Sequence, residues 1–499
     1  MVRRLLRPST WLRLIALGLT VALLYYTAAW HFVSLFIWRN PMLTWLPIVA
    51  FYAIGFLWGL AAVLLRGGGL PLASATTGAT GTAAPSGEGA RGLGGDDFSM
   101  LRAAFSARGG VVAGLVVFLI GLGVTIFAAP KVPLAEIDYS VVERLPETTQ
   151  PRLLPRTSVD DDPDFDDTRE VHLVRDPRSG ELIWTGEWRS SLLGKASGGY
   201  AYKSLSTIQG HSEIIQGGFD HSVGGWTPGT LRSSAFVDHP FSAVQYPVVT
   251  PLAGDGASGD AVIAIAPYLG YNGFPFRYPY LAGVLVYHAD GELEDLSPEA
   301  AASRDELASS GRLFPEKLAR AQAEALAASE KFEGKIVDGD DNKQPYLTAI
   351  SAERAVWVTV INEDSRNGAV KAVVLADSTT GQTDVWTPPP GSSLISTERA
   401  VNTARALPLQ WEERRCCDSD GNYQTVKLRE VVEPRLVFKA GKPYYLVSIV
   451  PTDELVLNRE IEYTLLLDAT TGETIEQFDH VDSPEADKRL EAFFRPDAP

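Results

Sequence analysis

The chain has 499 residues, 45% of them hydrophobic, and a formal charge of -17 from 61 Asp and Glu against 44 Lys and Arg. That balance excludes a general nucleic-acid binder, which must concentrate cations on one surface to neutralise phosphates. Cys416 and Cys417 are adjacent and are the only cysteines, so no disulfide framework ties distant segments together; the pair can form a vicinal disulfide, bond another chain, ligate a metal or stay reduced.

Arg3, Arg4, Arg7 and Arg13 lead into an uncharged run at 14-38. It outlasts the roughly 7-15 residues of a secretory apolar region, so the pattern predicts an uncleaved membrane helix. The turn Arg39-Asn40-Pro41 leads to a second span at 42-65. Residues 67-110 are Gly-, Ala-, Ser- and Thr-rich and read as a flexible linker. Val111-Ala129 is uncharged and reaches about 28 Å as a helix, close to the roughly 30 Å of bilayer hydrocarbon, which predicts a third span. The arginines of the amino terminus and linker orient both toward the cytoplasm and deliver the rest to the periplasmic or extracellular side.

Residues 130-170 carry Pro133, Pro146, Pro151 and Pro155 and the acidic run Asp160-Asp167, and read as an extended stalk; calcium binding is the alternative for the acids. Alternating runs then predict a β-rich exterior domain at 171-312, with Asp176-Gly180 turning a hairpin. His211, His221 and His239 lack the spacing of a zinc motif. Tyr268, Tyr271, Phe274, Phe276, Tyr278 and Tyr280 interleave with Gly and Pro between two strand-like ends, Ala261-Ala266 and Gly283-Tyr287. They are expected in a loop, which is either a recognition surface or core packing.

Pro345-Asp364 aligns without gaps on Pro434-Asp453, and Ala376-Thr383 answers Leu467-Thr474. A helix is expected before each copy, at Pro315-Phe332 and at Ser396-Trp411, the latter interrupted by Pro408. The units span 313-390 and 391-480, followed by a tail at 481-499. In each, Asp377 with Gly381 and Asp468 with Gly472 suit a hairpin turn, the aspartate accepting backbone hydrogen bonds and the glycine supplying positive φ. This D-x-x-T-G pattern after a strand resembles the PepSY family over roughly Leu313-Phe478. The resemblance implies exterior modules with a helix packed on a short antiparallel sheet, binding or regulatory roles, and no catalytic residues. Asp338, Asp340 and Asn342, like Asp418, Asp420 and Asn422, have the D-x-D-x-N spacing of a calcium loop, but Ala349 and Arg429 stand where an EF-hand places its bidentate Glu. Both segments read as solvated turns, with calcium the alternative, and no other cofactor is expected.

The expected fold is thus a membrane-anchored α+β protein: three N-terminal transmembrane helices, then a β-rich exterior region with two helix-plus-antiparallel-sheet units. The expected function is a noncatalytic exterior module that binds, scaffolds or regulates envelope proteins or self-associates. A hydrolase with a site assembled from dispersed His, Asp and Glu, or an accessory transport subunit, are the alternatives.

Overall fold

A computed structural model describes residues 137-150, 154-160, 165, 168-188, 199-204, 212-216, 219-220, 223, 230-239, 242-252, 262-272, 278-337, 344-351, 353-363, 368-415, 424-452, 461-481 and 485-494. The chain divides into two units, Met1-Ala129 and Pro130-Pro499, and every described residue belongs to the second. The three expected spans and their linker lie outside the described residues, among which no helix is long and apolar enough to cross a membrane.

Strand β1 (Tyr139–Val142) and helix α1 (Arg156–Asp160) precede the first sheet, made of β2 (Thr168–Arg175), β3 (Leu182–Trp188), β4 (Gly199–Ser204) and β5 (Glu213–Gln216) in that order. Helix α2 (Leu231–Asp238) leads to the second, in which β6 (Ala243–Val244) and β7 (Val248–Pro251) both pair β8 (Val262–Asn272), followed by β9 (Tyr278–His288) and β10 (Leu293–Leu296). Helices α3 (Pro298–Ala302), α4 (Asp305–Ala308) and α5 (Glu316–Ala327) come next. The third sheet holds β11 (Gly334–Ile336), β12 (Tyr346–Ala349), β13 (Ala355–Glu363), β14 (Val370–Asp377) and β15 (Thr383–Trp386), with β1 added in parallel beside β15. After α6 (Thr397–Arg405) and a ribbon of β16 (Glu412–Arg415) and β17 (Gln424–Lys427), the fourth sheet runs β18 (Arg429–Lys439), β19 (Lys442–Pro451), β20 (Tyr463–Asp468) and β21 (Thr474–Asp479), and α7 (Ala486–Phe494) follows.

The sheets pack face to face, and side-chain period explains how. Successive residues of a strand point to opposite faces. On β13, Ala355, Trp357 and Ile361 enter a core shared with Leu182 and Trp184 of the first sheet and Leu269 of the second. Their neighbours Val356, Val358 and Val360 enter another core with Leu436, Phe438, Tyr445 and Val447 of the fourth. A strand covered on both faces reads as a continuous apolar run, as AVWVTVINE does. The fourth sheet repeats the division, sending Leu446, Val450 and Leu466 to α7 on its other side. Four mostly antiparallel sheets in chain order, stacked in this way, are arranged like a four-bladed β-propeller.

This corrects the expected fold class for the described residues: they form a β-rich body of four sheets, not an α+β region of two helix-plus-sheet units. The PepSY-like reading fails for the same reason. Helix α5 follows its N-cap Pro315 and ends at Ala327, short of the expected Phe332, and its Leu318, Ala319, Ala323 and Leu326 pack with residues of three sheets rather than on one sheet of its own. Helix α6 is capped by Ser396, whose side chain accepts from Arg399 N, and ends before Pro408; its Ala400 and Ala404 sit between the third and fourth sheets.

The described residues of the segment expected as a stalk are instead built into the body. Thr148 N donates to Phe438 O at 2.8 Å and its hydroxyl accepts from Phe438 N at 2.9 Å, while Thr149 N donates to Ala349 O at 3.1 Å. The Gln150 amide accepts from Leu182 N at 2.6 Å and donates to Leu182 O at 3.3 Å. Three consecutive residues thereby satisfy backbone groups of the fourth, third and first sheets, and Leu154, Val159 and Phe165 beyond them are buried. Likewise α7 occupies part of the expected C-terminal tail.

One turn closes three hairpins. Asp377 N donates to Gln382 O, Gly381 N donates back to Asp377 O, and Asp377 Oδ1 accepts from Thr379 and Thr380 amides at 3.0 and 2.9 Å. Asp468 and Gly472 make the equivalent set, and the β2–β3 turn from Asp176 to Gly180 closes with the same pair of backbone bonds. All three glycines have φ of 75 to 78°.

Candidate functional site

The tyrosines expected in a loop stand mostly on strands, because β8 and β9 extend to Asn272 and Tyr278 and pair along their length. Gly270 and Gly283 are not breakers here. Tyr268 is the cross-strand partner of Gly283, and Tyr280 that of Gly270. A Cβ at Gly283 would strike the end of the Tyr268 ring, and one at Gly270 the end of the Tyr280 ring. Each ring therefore lies flat across the glycine opposite it, a use of strand glycine where another group approaches closely. The two pairs are reciprocal and on one face, with Ala282 absorbed in a register shift between them. Tyr271 points the other way, into the core with Leu269. Tyr278 is half-buried, Tyr280 is 43% exposed, and Phe274 and Phe276 lie outside the described residues.

A polar corner fixes the Tyr268 end. Its hydroxyl donates to Asp295 Oδ1 on β10 at 3.0 Å. The other carboxylate oxygen, Oδ2, is 3.1 Å from Nε2 of His239, the residue directly after α2. The His239 ring stacks on Tyr268 with centroids 4.3 Å apart and planes 28° apart. Burial first, then the hydrogen bond to Asp295 and its charge, push the Tyr268 phenol up to about 12. At neutral pH it is therefore a fixed donor, and the row His239, Tyr268, Tyr280 is held from one end. Asp295 belongs to no motif, and its 27-residue separation from Tyr268 leaves no local signal.

The remaining candidates do not join this site. Asp377 and Asp468 serve their turns, and Asp377 Oδ2 also takes Arg354 Nε at 2.7 Å. His211, His221, Cys416, Cys417, Asp338, Asp340, Asn342, Asp418, Asp420 and Asn422 lie outside the described residues, and so does most of the Asp160-Asp167 run. Among the described residues no group of three or more His, Cys, Asp or Glu could hold a metal ion.

Comparison of the chain with protein-family profiles, with curated proteins and with solved structures returns no match.

Proposed function

We propose that the four-sheet body is a noncatalytic binding module that recognises a partner protein through Tyr280, the exposed ring of the row His239, Tyr268 and Tyr280. The reading is carried by the Tyr280–Gly270 pair, which holds the exposed ring flat before any partner arrives, with the buried Tyr268 set over Gly283 beside it. A ring already immobilised gives up little side-chain entropy on contact, and tyrosine offers an apolar face with a polar tip. Tyr280 is the exposed member, and Asp295 at the far end of the row supplies a negative charge that favours a basic neighbour on the partner.

Capture from native extracts by the wild-type chain, by Tyr280→Ala and by Ile475→Ser tests this; Ile475 is an exposed apolar residue on the fourth sheet. A species retained by the wild type and by Ile475→Ser should be retained about tenfold less by Tyr280→Ala, the loss expected for a tyrosine anchor. Equal retention by Tyr280→Ala contradicts the reading.

The 3.1 Å His239–Asp295 pair favours a second reading, a hydrolase in which Asp295 orients the imidazole through Nε2 and Nδ1 acts as base. Ester or peptide hydrolysis by the wild type that disappears in His239→Asn would support it over the first.

A further inference from the structure

A ladder of cations and rings crosses the place where the first three sheets meet. Arg312, 9% exposed, lies in the segment that joins α4 to α5 and sets its guanidinium carbon 4.9 Å from the centroid of the buried Trp357 ring on β13. That indole donates to Phe314 O at 2.9 Å, so the platform is fixed to the same segment. The guanidinium reaches from the ring to β2, where its Nη2 lies 3.2 Å from Nδ1 of His172. The half-buried imidazole also packs against the Tyr246 ring, between β6 and β7, with centroids 5.6 Å apart. Arg232 of α2 stands over that tyrosine at 5.6 Å, and the next link is tied down by Gln245 N, which donates to Pro267 O on β8 at 2.8 Å.

The Arg312 contact dictates the protonation state of His172. A guanidinium donates and has no acceptor, so Nδ1 accepts, which it does only while it carries no proton. A proton and Arg312 therefore compete for one lone pair. Arg312 holds its charge throughout the range in which histidine titrates: burial lowers its pKa to about 10, with Glu316 of α5 working against the shift and Arg156 of α1 adding to it. Thr185 of β3, the cross-strand neighbour of His172, carries no charge, and the charge behind Tyr246 is the cation of Arg232. An imidazolium here would meet a buried guanidinium at hydrogen-bond distance, where like charges repel far more than on an exposed surface.

We propose that His172 is an acid-sensitive joint: neutral, it fastens β2 to the segment before α5, and protonated at Nδ1 it expels Arg312 and loosens the first sheet from that segment. The Tyr246 ring restricts the swing by which the imidazole could otherwise turn away from the guanidinium. The unfolded chain takes up this proton near the ordinary histidine value of about 6.5, whereas the folded chain must first break the Arg312 bond. Stability present above about pH 6.5 is therefore lost as the pH falls. The joint is separate from the tyrosine face and stands whether or not that face binds a partner.

Urea unfolding of the full chain at about pH 7.5 and about pH 5.5 tests the proposal, with two variants for comparison. His172→Asn keeps an amide oxygen that accepts from Arg312 but does not titrate, and Arg312→Gln keeps a donor for Nδ1 but brings no charge. Relative to His172→Asn, the wild-type folding equilibrium should fall about tenfold across that span, the linkage limit for one proton bound by the unfolded chain alone. Arg312→Gln should show a smaller fall than the wild type, because the imidazolium then meets no cation. Every other histidine and carboxylate is common to the three chains and cancels in the comparison. If one variant does not fold, the other decides. The same pH dependence in the wild type and in the folded variants overturns the proposal.

Discussion

Gly381 and Gly441 have nearly the same backbone, φ of 78 and 73°, in different surroundings. A Cβ at Gly381 would strike the Phe314 ring, whereas at Gly441 nothing lies within 4 Å. Gly441→Ala should therefore cost only the left-handed penalty, roughly 1–2 kcal/mol. Gly381→Ala adds overpacking against a buried ring, about 1–3 kcal/mol more. Denaturant unfolding of the two variants checks the difference, and equal losses would contradict the packing at Phe314. Tyr268 offers a second residue-scale check. Burial, the Asp295 hydrogen bond and the Asp295 charge all raise its phenol. Asp295→Asn removes the charge and weakens the hydrogen bond, so the phenolate titration, read as the absorbance difference from Tyr268→Phe, should move down from about 12 yet stay above the ordinary 10, because burial remains. An unchanged midpoint would mean that Asp295 does not face the ring.

At the scale of elements, the bridging segment from Thr148 to Gln150 carries the clearest prediction. Leu182 is fully buried, and its amide has the Gln150 side chain as acceptor. Gln150→Ala leaves that donor unanswered, at a cost of about 1–3 kcal/mol. Urea unfolding should show this as a lower midpoint with an unchanged slope, and a loss within error of zero would contradict the bridge. Nothing in the composition of residues 130-170 foretells the role: prolines and acids dominate it, while Leu145, Leu154, Val159 and Phe165, spaced without period, are what it buries. The turns and helix starts are legible because their chemistry is local. Asp377 needs only the amides two and three residues on, Gly381 only its own φ, and Ser396 only the Arg399 amide. Sequence comparison finds the third and fourth sheets as a repeat because their strands and D-x-x-T-G turns correspond. The first sheet uses the same turn in the form D-P-R-S-G, and the second ends in a shorter one at His288-Gly291, so four sheets read as two units.

For the whole molecule, what the sequence hides is which faces meet. Trp357 and Val358 are neighbours in the chain but belong to different cores, and no periodicity within β13 assigns either to a partner sheet. The candidate site is half-legible on the same grounds. The aromatic run from Tyr268 to Tyr280 is visible in the sequence, whereas its division into two rings buried on opposite faces, Tyr268 and Tyr271, and an exposed one, Tyr280, follows only from the β8–β9 register. His239 and Asp295 come to Tyr268 from other elements through the packing of α2 and β10 on the second sheet. The formal charge of -17 favours solubility of a chain that also exposes the Tyr280 ring. A photoreactive phenylalanine analogue placed at position 280, compared in living cells with the same analogue at position 475, measures whether the Tyr280 ring position meets a protein. The account predicts a discrete crosslinked species from position 280 alone; crosslinks from neither position, or the same species from both, would contradict it.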